Sequence, residues 1–169
     1  NKGITISFNG DNEFEGIIDY FRKKTNDNII NEMLITASSI GNSSYPIKNL
    51  LNKDTNRKFL TQNTPNSWIC FDFKNKKISP THYSIQTHCG CYLIKNWKLE
   101  GSNDNVSWDV IDEQTNCEFT HKSNIIHTFQ IRNKSDKKFR YLRIFSTGKN
   151  WENYNEIYLS SIEFYGTLI

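Results

Sequence analysis

Proline and methionine are scarce in this chain of 169 residues, at three and one, and glycine reaches only eight. Alanine is sparse as well, while Phe, Tyr, Trp, Ile and Asn are plentiful. That balance speaks against a helical bundle and for strands joined by asparagine-bearing turns. Missing too is any apolar run of the roughly 18 to 20 residues that a membrane-spanning helix needs, so no transmembrane segment is expected. Charge of one sign is absent: 21 Lys and Arg stand against 18 Asp and Glu, scattered in ones and twos. A nucleic-acid footprint would gather its basic residues on one patch, so nucleic acid is not an expected partner. The chain carries no G-x-S-x-G elbow, no phosphate-cradling Gly-rich loop and no H-E-x-x-H pair, and its carboxylates form no evident dyad. An enzyme is therefore not the expectation, and no catalytic residue is assigned.

What is present reads as one domain, long enough to bury its own core. Phe14, Ile17, Ile18 and Phe21 recur at helical spacing ahead of Arg22, Lys23 and Lys24. This predicts a short helix over Glu13–Lys24, closed by positive charge in its last turn. An isolated helix of about a dozen residues is marginal in water, so its stripe should pack on the rest of the chain. Residues 1–33 are thus read as a lead-in and 34–169 as a β-sandwich. Eight extended runs follow: Met33–Ser38, Trp68–Phe73, His82–Thr87, Trp97–Glu100, Trp108–Asp112, Ile125–Ile131, Phe139–Phe145 and Ile157–Tyr165. Between Trp97 and Trp108, Asn103-Asp104-Asn105 supplies the side chains that a tight hairpin turn demands. Both tryptophans are expected in ordinary packing, and Arg140 and Arg143, flanking Tyr141, in surface charge pairs.

Four cysteines stand at 70, 89, 91 and 117. Cys89 and Cys91 flank a single glycine, and none lies near a terminus, so the expectation is four reduced thiols in a cytoplasmic protein. Cys70, inside an alternating run, should be buried as a small hydrophobe. His88, Cys89, Cys91 and Cys117 offer nitrogen and sulfur, but C-x-C fits the usual C-x₂₋₄-C spacing of structural zinc poorly. A nucleophilic cysteine beside a histidine has no further support in the pattern. The sequons at Asn42, Asn105 and Asn133 would matter only in the secretory pathway.

The segment Trp97-Lys-Leu-Glu-Gly-Ser-Asn-Asp-Asn-Val-Ser-Trp108 resembles the W-x-L-E-G-S-N-D-x-x-x-W signature of discoidin domains, the coagulation factor 5/8 type C family of the galactose-binding-like superfamily. Ile35-Thr-Ala-Ser-Ser39 with Asn49-Leu-Leu51, Ser67-Trp-Ile-Cys-Phe-Asp-Phe73, Phe139-Arg-Tyr-Leu-Arg-Ile144 and Ser161-Ile-Glu-Phe-Tyr-Gly166 agree with that family in order and spacing. The resemblance covers about residues 34–166 and implies an antiparallel jelly-roll sandwich of about eight strands. Phe8, Gly10 and Gly16-Ile-Ile18 resemble the lead-in of an intracellular branch found beside BTB or kinase domains, which implies a module of a longer protein.

Secreted members often close the barrel with a disulfide near the two ends, and here the ends carry no cysteine. Calcium-bearing members carry D-G-D-x-x-T before an aromatic; this chain has Asn52-Lys53-Asp54, with Arg57 and Phe59 in the later places. Only Asp54 and Glu163 keep matching oxygens, too few for a cation that takes six or more. No metal or cofactor is therefore expected, with calcium on Asp54 and Glu163 as the alternative. The resemblance places ligand contacts in the loops at one end of the sandwich. These are Ile40–Pro46 with Asn42 and Tyr45, Phe59–Asn66 with Gln62 and Asn63, and His88–Leu93 with His88 and Tyr92, joined by Lys149–Tyr154 with Asn150 and Trp151. A protein partner would use the aromatics as anchors; a galactose-type glycan would use Tyr45, Tyr92 or Trp151 as stacking platforms and the amides for its hydroxyls.

Overall fold

The computed structural model describes residues 3–53, 56–88, 92–132 and 136–169. Within them the chain forms β1 (Ile4–Ile6), α1 (Ile17–Lys24), β2 (Leu34–Ala37), β3 (Phe59–Leu60), β4 (Trp68–Asp72) and β5 (Ile78–Gln86). There follow β6 (Trp97–Ser102), β7 (Asp109–Gln114), β8 (Ile126–Gln130), β9 (Tyr141–Ser146), β10 (Tyr158–Leu159) and β11 (Ser161–Leu168). One sheet runs β1-β11-β5-β8 and the other β2-β4-β9-β6-β7, while β3 and β10 make a two-stranded ribbon. All these pairings are antiparallel. The all-β antiparallel sandwich of the sequence reading is thus the architecture found.

Alternation explains which side chains close the core. In β4, Ile69 and Phe71 are fully buried, as is Phe73 just beyond it, and on β9 Leu142 and Ile144 face the same interior. The opposite sheet answers with Ile162 and Phe164, and the Phe164 ring meets Phe71 edge-on at 4.9 Å. Trp97 is fully buried and its indole N–H donates to the Tyr83 hydroxyl at 3.1 Å, which in turn donates to Asp112. Trp108 is only half-buried and lies under the Arg143 guanidinium at 3.9 Å. The β6–β7 hairpin turns as its residues predict: Asp104 Oδ1 accepts the N–H groups of Val106 and Ser107 at 2.9 and 2.8 Å, and Asn105 takes φ 60°. Those bonds hold the Asp104 carboxyl down at about 2. Arg140 is paired with Asp72 and Arg143 with Glu100.

The differences from the sequence reading are local. Instead of about eight strands there are eleven among the described residues, because β1, β3 and β10 are two or three residues long and carry too little pattern to read. Ser160 divides the expected Ile157–Tyr165 run into β10 and β11. Helix α1 begins at Ile17 rather than Glu13, since Phe14 takes φ 56° and ends the extended lead-in with its ring buried. Ile17, Ile18 and Phe21 join the common core, Phe21 lying 6.3 Å from Phe73. Burying side chains of this size stabilises by about 1.5–3 kcal/mol each. Cys70 and Cys117 are free, buried thiols, and burial pushes the Cys70 thiol up to about 12. Asp54, Cys89, Cys91 and Asn133 lie outside the described residues.

Candidate functional site

The loops at one end of the sandwich are stitched together by the β3–β10 ribbon. Beyond its two pairs, the Thr61 N–H donates to the Ile157 carbonyl at 3.1 Å and the Ile157 N–H to Thr61 Oγ1 at 3.0 Å. The loop after β2 joins through the Gly41 N–H to the Leu60 carbonyl at 2.8 Å and the Gln62 N–H to Ser39 Oγ at 2.9 Å. Asn63 Oδ1 accepts the Asn155 N–H at 2.8 Å, and the Trp151 N–H reaches the Leu93 carbonyl at 3.0 Å. Four sequence-distant segments therefore share one surface.

Tyr158, itself buried, lies beneath that surface and joins its parts. Its ring lies 5.8 Å from Tyr92, 5.7 Å from His88 and 5.6 Å from Lys58 Nζ. The same ammonium sits 4.5 Å over the Tyr45 ring, and Tyr92 meets Tyr154 edge-on at 5.4 Å. The Tyr158 hydroxyl beside it raises the Lys58 pKa, so the cation between the rings is firmly charged. A lysine over aromatic faces is worth about 0.5–1 kcal/mol at an exposed site. Tyr154 is the most open ring of the group, 45% exposed.

The sequence-predicted residues divide on this geometry. Tyr45 and Tyr92 lie in the tyrosine cluster, with exposed Asn42, Gln62 and Asn63 on its surrounding loops. His88 is buried, and its Nδ1 is 2.9 Å from Ser160 Oγ. Asn150 is buried too and organises its own loop: Oδ1 accepts the N–H groups of Glu152 and Tyr154, and Nδ2 donates to the Glu156 carbonyl. Trp151 stacks on His121 at 3.8 Å with only 4° between planes, and Lys95 Nζ lies 4.5 Å over its ring. Sequence reasoning missed Lys58, Tyr154 and Tyr158 as site residues. Tyr154 closes a loop already singled out, and Tyr158 is the second residue of the last strand run; nothing in the sequence marks Lys58.

The late glutamate, named in the sequence only for the calcium alternative, closes the start of the helix. Glu163, 1% exposed on β11, accepts the N–H groups of Gly16, Ile18 and Asp19 at 3.1, 2.8 and 3.1 Å and that of Phe164 at 2.8 Å. It caps the start of α1 from 147 residues away, where the helix dipole favours an anion and Gly16 has no side chain to do so. Burial nevertheless pushes its carboxyl up to about 7, against the pull of those four N–H bonds. Both carboxylate oxygens accept backbone N–H groups.

Residues 34–161 match the model of the F5/8 type C domain. The chain belongs to this family. An F5/8 type C domain is a binding module by type rather than a catalytic one. A relative, the E3 ubiquitin-protein ligase hecd-1 of Caenorhabditis elegans, is 26% identical over 150 residues, which is 86% of this chain and 6% of that protein. The F5/8 type C domain thus spans a small fraction of that relative. Among solved structures, the CpGH89CBM32-5 module of Clostridium perfringens, in complex with GalNAc-β-1,3-galactose, superposes with a TM-score of 0.62 at 14% identity, covering 79% of this chain and 94% of that one. A fucolectin from striped bass (Morone saxatilis) serum gives 0.64 at 16% identity, over 80% of this chain and 47% of its own.

Proposed function

We propose that this F5/8 type C domain is a non-catalytic module that recognises a protein partner through its loop end. The cover on the aromatic rings carries the reading. Lys58 lies over Tyr45 and Tyr158, and Trp151 stacks on His121 with Lys95 over it. A stacking sugar needs a bare ring face, whereas a protein interface takes tyrosines whose edges and hydroxyls point outward among polar neighbours. Tyr45, Tyr92 and Tyr154, with Lys58 among them and amides around them, form such a patch. The likeness to an E3 ubiquitin-protein ligase and the free thiols of Cys70 and Cys117 support an intracellular setting for it. The test uses the chain as bait in cell lysate beside a Tyr45→Ala, Tyr154→Ala double variant of equal melting temperature. Partners kept by the first and lost by the second are expected; identical partner lists would overturn the reading.

A carbohydrate ligand at the same end is the second reading, favoured by the sugar-bound and lectin structures of like fold and by the exposed amides of Asn42, Gln62 and Asn63. A glycan array run with and without calcium separates the two. Signal at sugar concentrations up to about millimolar, lost in the double variant, would decide for the glycan.

A further inference from the structure

Away from the loop end, the edge of the five-stranded sheet is open along β2. Ser38 donates its N–H to the Trp68 carbonyl at 3.0 Å, and the register pairs Thr36 with Cys70 and Leu34 with Asp72. Hydrogen-bonded pairs alternate along an antiparallel ladder. Leu34, Thr36 and Ser38 thus turn their backbone groups to β4, and Ile35 and Ala37 turn theirs outward, with no partner among the described residues.

That bare edge borders a trough of about 440 Å³ lined by Ile29, Ile30, Met33, Leu34, Ile35, Ile47 and Leu51, with Asp27 and Lys48 at its margin. Ile30 is 58% and Leu34 40% exposed, so two aliphatic side chains stand open beside the edge. A second hollow of about 290 Å³ continues it past Leu51 towards Arg22 and Asn52. Charge collects at this far end. Arg22, Lys23 and Lys53 converge on the one carboxylate of Asp19 at 3.0, 3.0 and 3.7 Å, and Lys48 has no acid partner among the described residues. An apolar trough, a free strand edge and a cation-rich end thus adjoin.

We propose that β2 and this trough dock an extended peptide segment of another protein, which adds a strand to β2, sets alternate aliphatic side chains into the trough and presents an Asp or Glu to Lys48. The free N–H and C=O groups of Ile35 and Ala37 select a peptide over a lipid, because an acyl chain has nothing to offer them. Alternate side chains of an added strand point to one face, which matches a trough running beside the strand. The acidic residue follows from Lys48, which has no acid partner among the described residues, in a surrounding where Arg22, Lys23 and Lys53 outnumber Asp19 and Asp27. The surface uses none of the clustered tyrosines as a lining residue, so either reading of the loop end leaves it standing.

A phage-displayed library of random 12-residue peptides, selected on the full chain, tests this. Enriched peptides should alternate aliphatic residues and carry Asp or Glu at one end, and a synthetic copy should slow hydrogen exchange at the Ile35 and Ala37 amides. Lys48→Glu, a surface change that spares the core, should weaken that peptide about tenfold. Melting of the variant at the wild-type temperature keeps the comparison clean. The proposal is overturned if no peptide is enriched, if exchange slows instead around Tyr45 and Tyr158, or if Lys48→Glu binds equally well. Protection of Ile35 and Ala37 that appears without peptide as protein concentration rises would also overturn it, in favour of a second copy of the chain. Binding of a fluorescent fatty acid by the wild type that is lost in the trough variant Leu34→Glu, with no peptide enriched, would overturn the proposal and assign the surface to lipid.

Discussion

Two regions of this sandwich, around Glu163 and around Tyr158, handle polar groups in opposite ways. Around Glu163 a buried carboxylate has both oxygens bonded to backbone N–H groups, and the lead-in is locked against β11. β1 pairs with the far part of β11, and the Tyr165 hydroxyl donates to the Asn12 carbonyl at 2.7 Å. Around Tyr158, by contrast, aromatic rings are held together by one lysine and by edge contacts, and amide side chains stand in solvent. The first arrangement has no slack, and a change there costs folding free energy. In the second, the buried polar groups such as His88 and Asn150 lie apart from the partly exposed rings of Tyr45, Tyr92 and Tyr154, so a change at those rings should cost recognition instead.

The heaviest blow to the locked region is Glu163→Ala. It strands the N–H groups of Gly16, Ile18 and Asp19 in a buried site, each costing about 1–3 kcal/mol, with part of that relieved by helix fraying. A loss on the order of 4 kcal/mol in urea unfolding is expected, and Glu163→Gln, which keeps an acceptor, should lose less. An unchanged midpoint for Glu163→Ala would erase the contrast between the two regions.

Next comes Gly16→Ala. A Cβ there would stand 2.2 Å from the Phe164 carbonyl oxygen and 2.8 Å from Glu163 Cδ. Backbone cannot yield as a side chain tip would, so the helix must move off its cap. Overpacking of this kind costs about 2 kcal/mol, read as a lower melting temperature.

How the two regions are written in the sequence follows from the same contrast. The strands were legible because Ile69, Phe71 and Phe73, or Leu142 and Ile144, repeat every second residue, and the hairpin because Asp104 bonds to its own neighbours. Tyr45 and Tyr92 were legible as candidates through loops that the family resemblance marked. The cap was not, since Glu163 acts across 147 residues and no local pattern records such a partner. The shortened helix is illegible for the same reason: helical spacing includes Phe14, but its φ of 56° depends on the lead-in meeting β11. Asn150 and His88 looked like ligand residues because polar residues in loops usually face water; burial against Glu156 and Ser160 is a tertiary outcome.

A pH series gives a smaller but sharper test of the locked region. The Glu163 carboxyl ordinarily titrates near 4.5 and burial carries it up to about 7 in the folded chain. The folded state therefore holds a proton that the unfolded chain has released. Its stabilising contribution is complete below pH 4.5 and is lost as pH rises through 7. Burial lowers the His127 pKa, which works in the opposite sense over part of this window. Comparing wild type with Glu163→Gln removes that background. The wild type should lose stability from pH 5 to 8 relative to the variant, and parallel curves would show that Glu163 is ionised throughout.

The smallest stability effect belongs to Tyr154→Ala at the open end. Its ring is 45% exposed and touches Tyr92 edge-on, and its N–H and carbonyl are held by Asn150 whatever the side chain. Truncation removes one edge contact of about 0.5–1.5 kcal/mol and little buried area, so unfolding should shift by less than about 1 kcal/mol. Binding should respond far more. An aromatic anchor at the centre of an interface commonly costs 2 kcal/mol or more on truncation, about thirtyfold in affinity. Titration calorimetry with a partner retained in the bait experiment compares the two directly. A variant that melts like wild type and binds at least tenfold more weakly places recognition at Tyr154. One that binds unchanged moves the interface off the tyrosine cluster, while one that unfolds several kcal/mol earlier shows that this end is as tightly built as the region around Glu163.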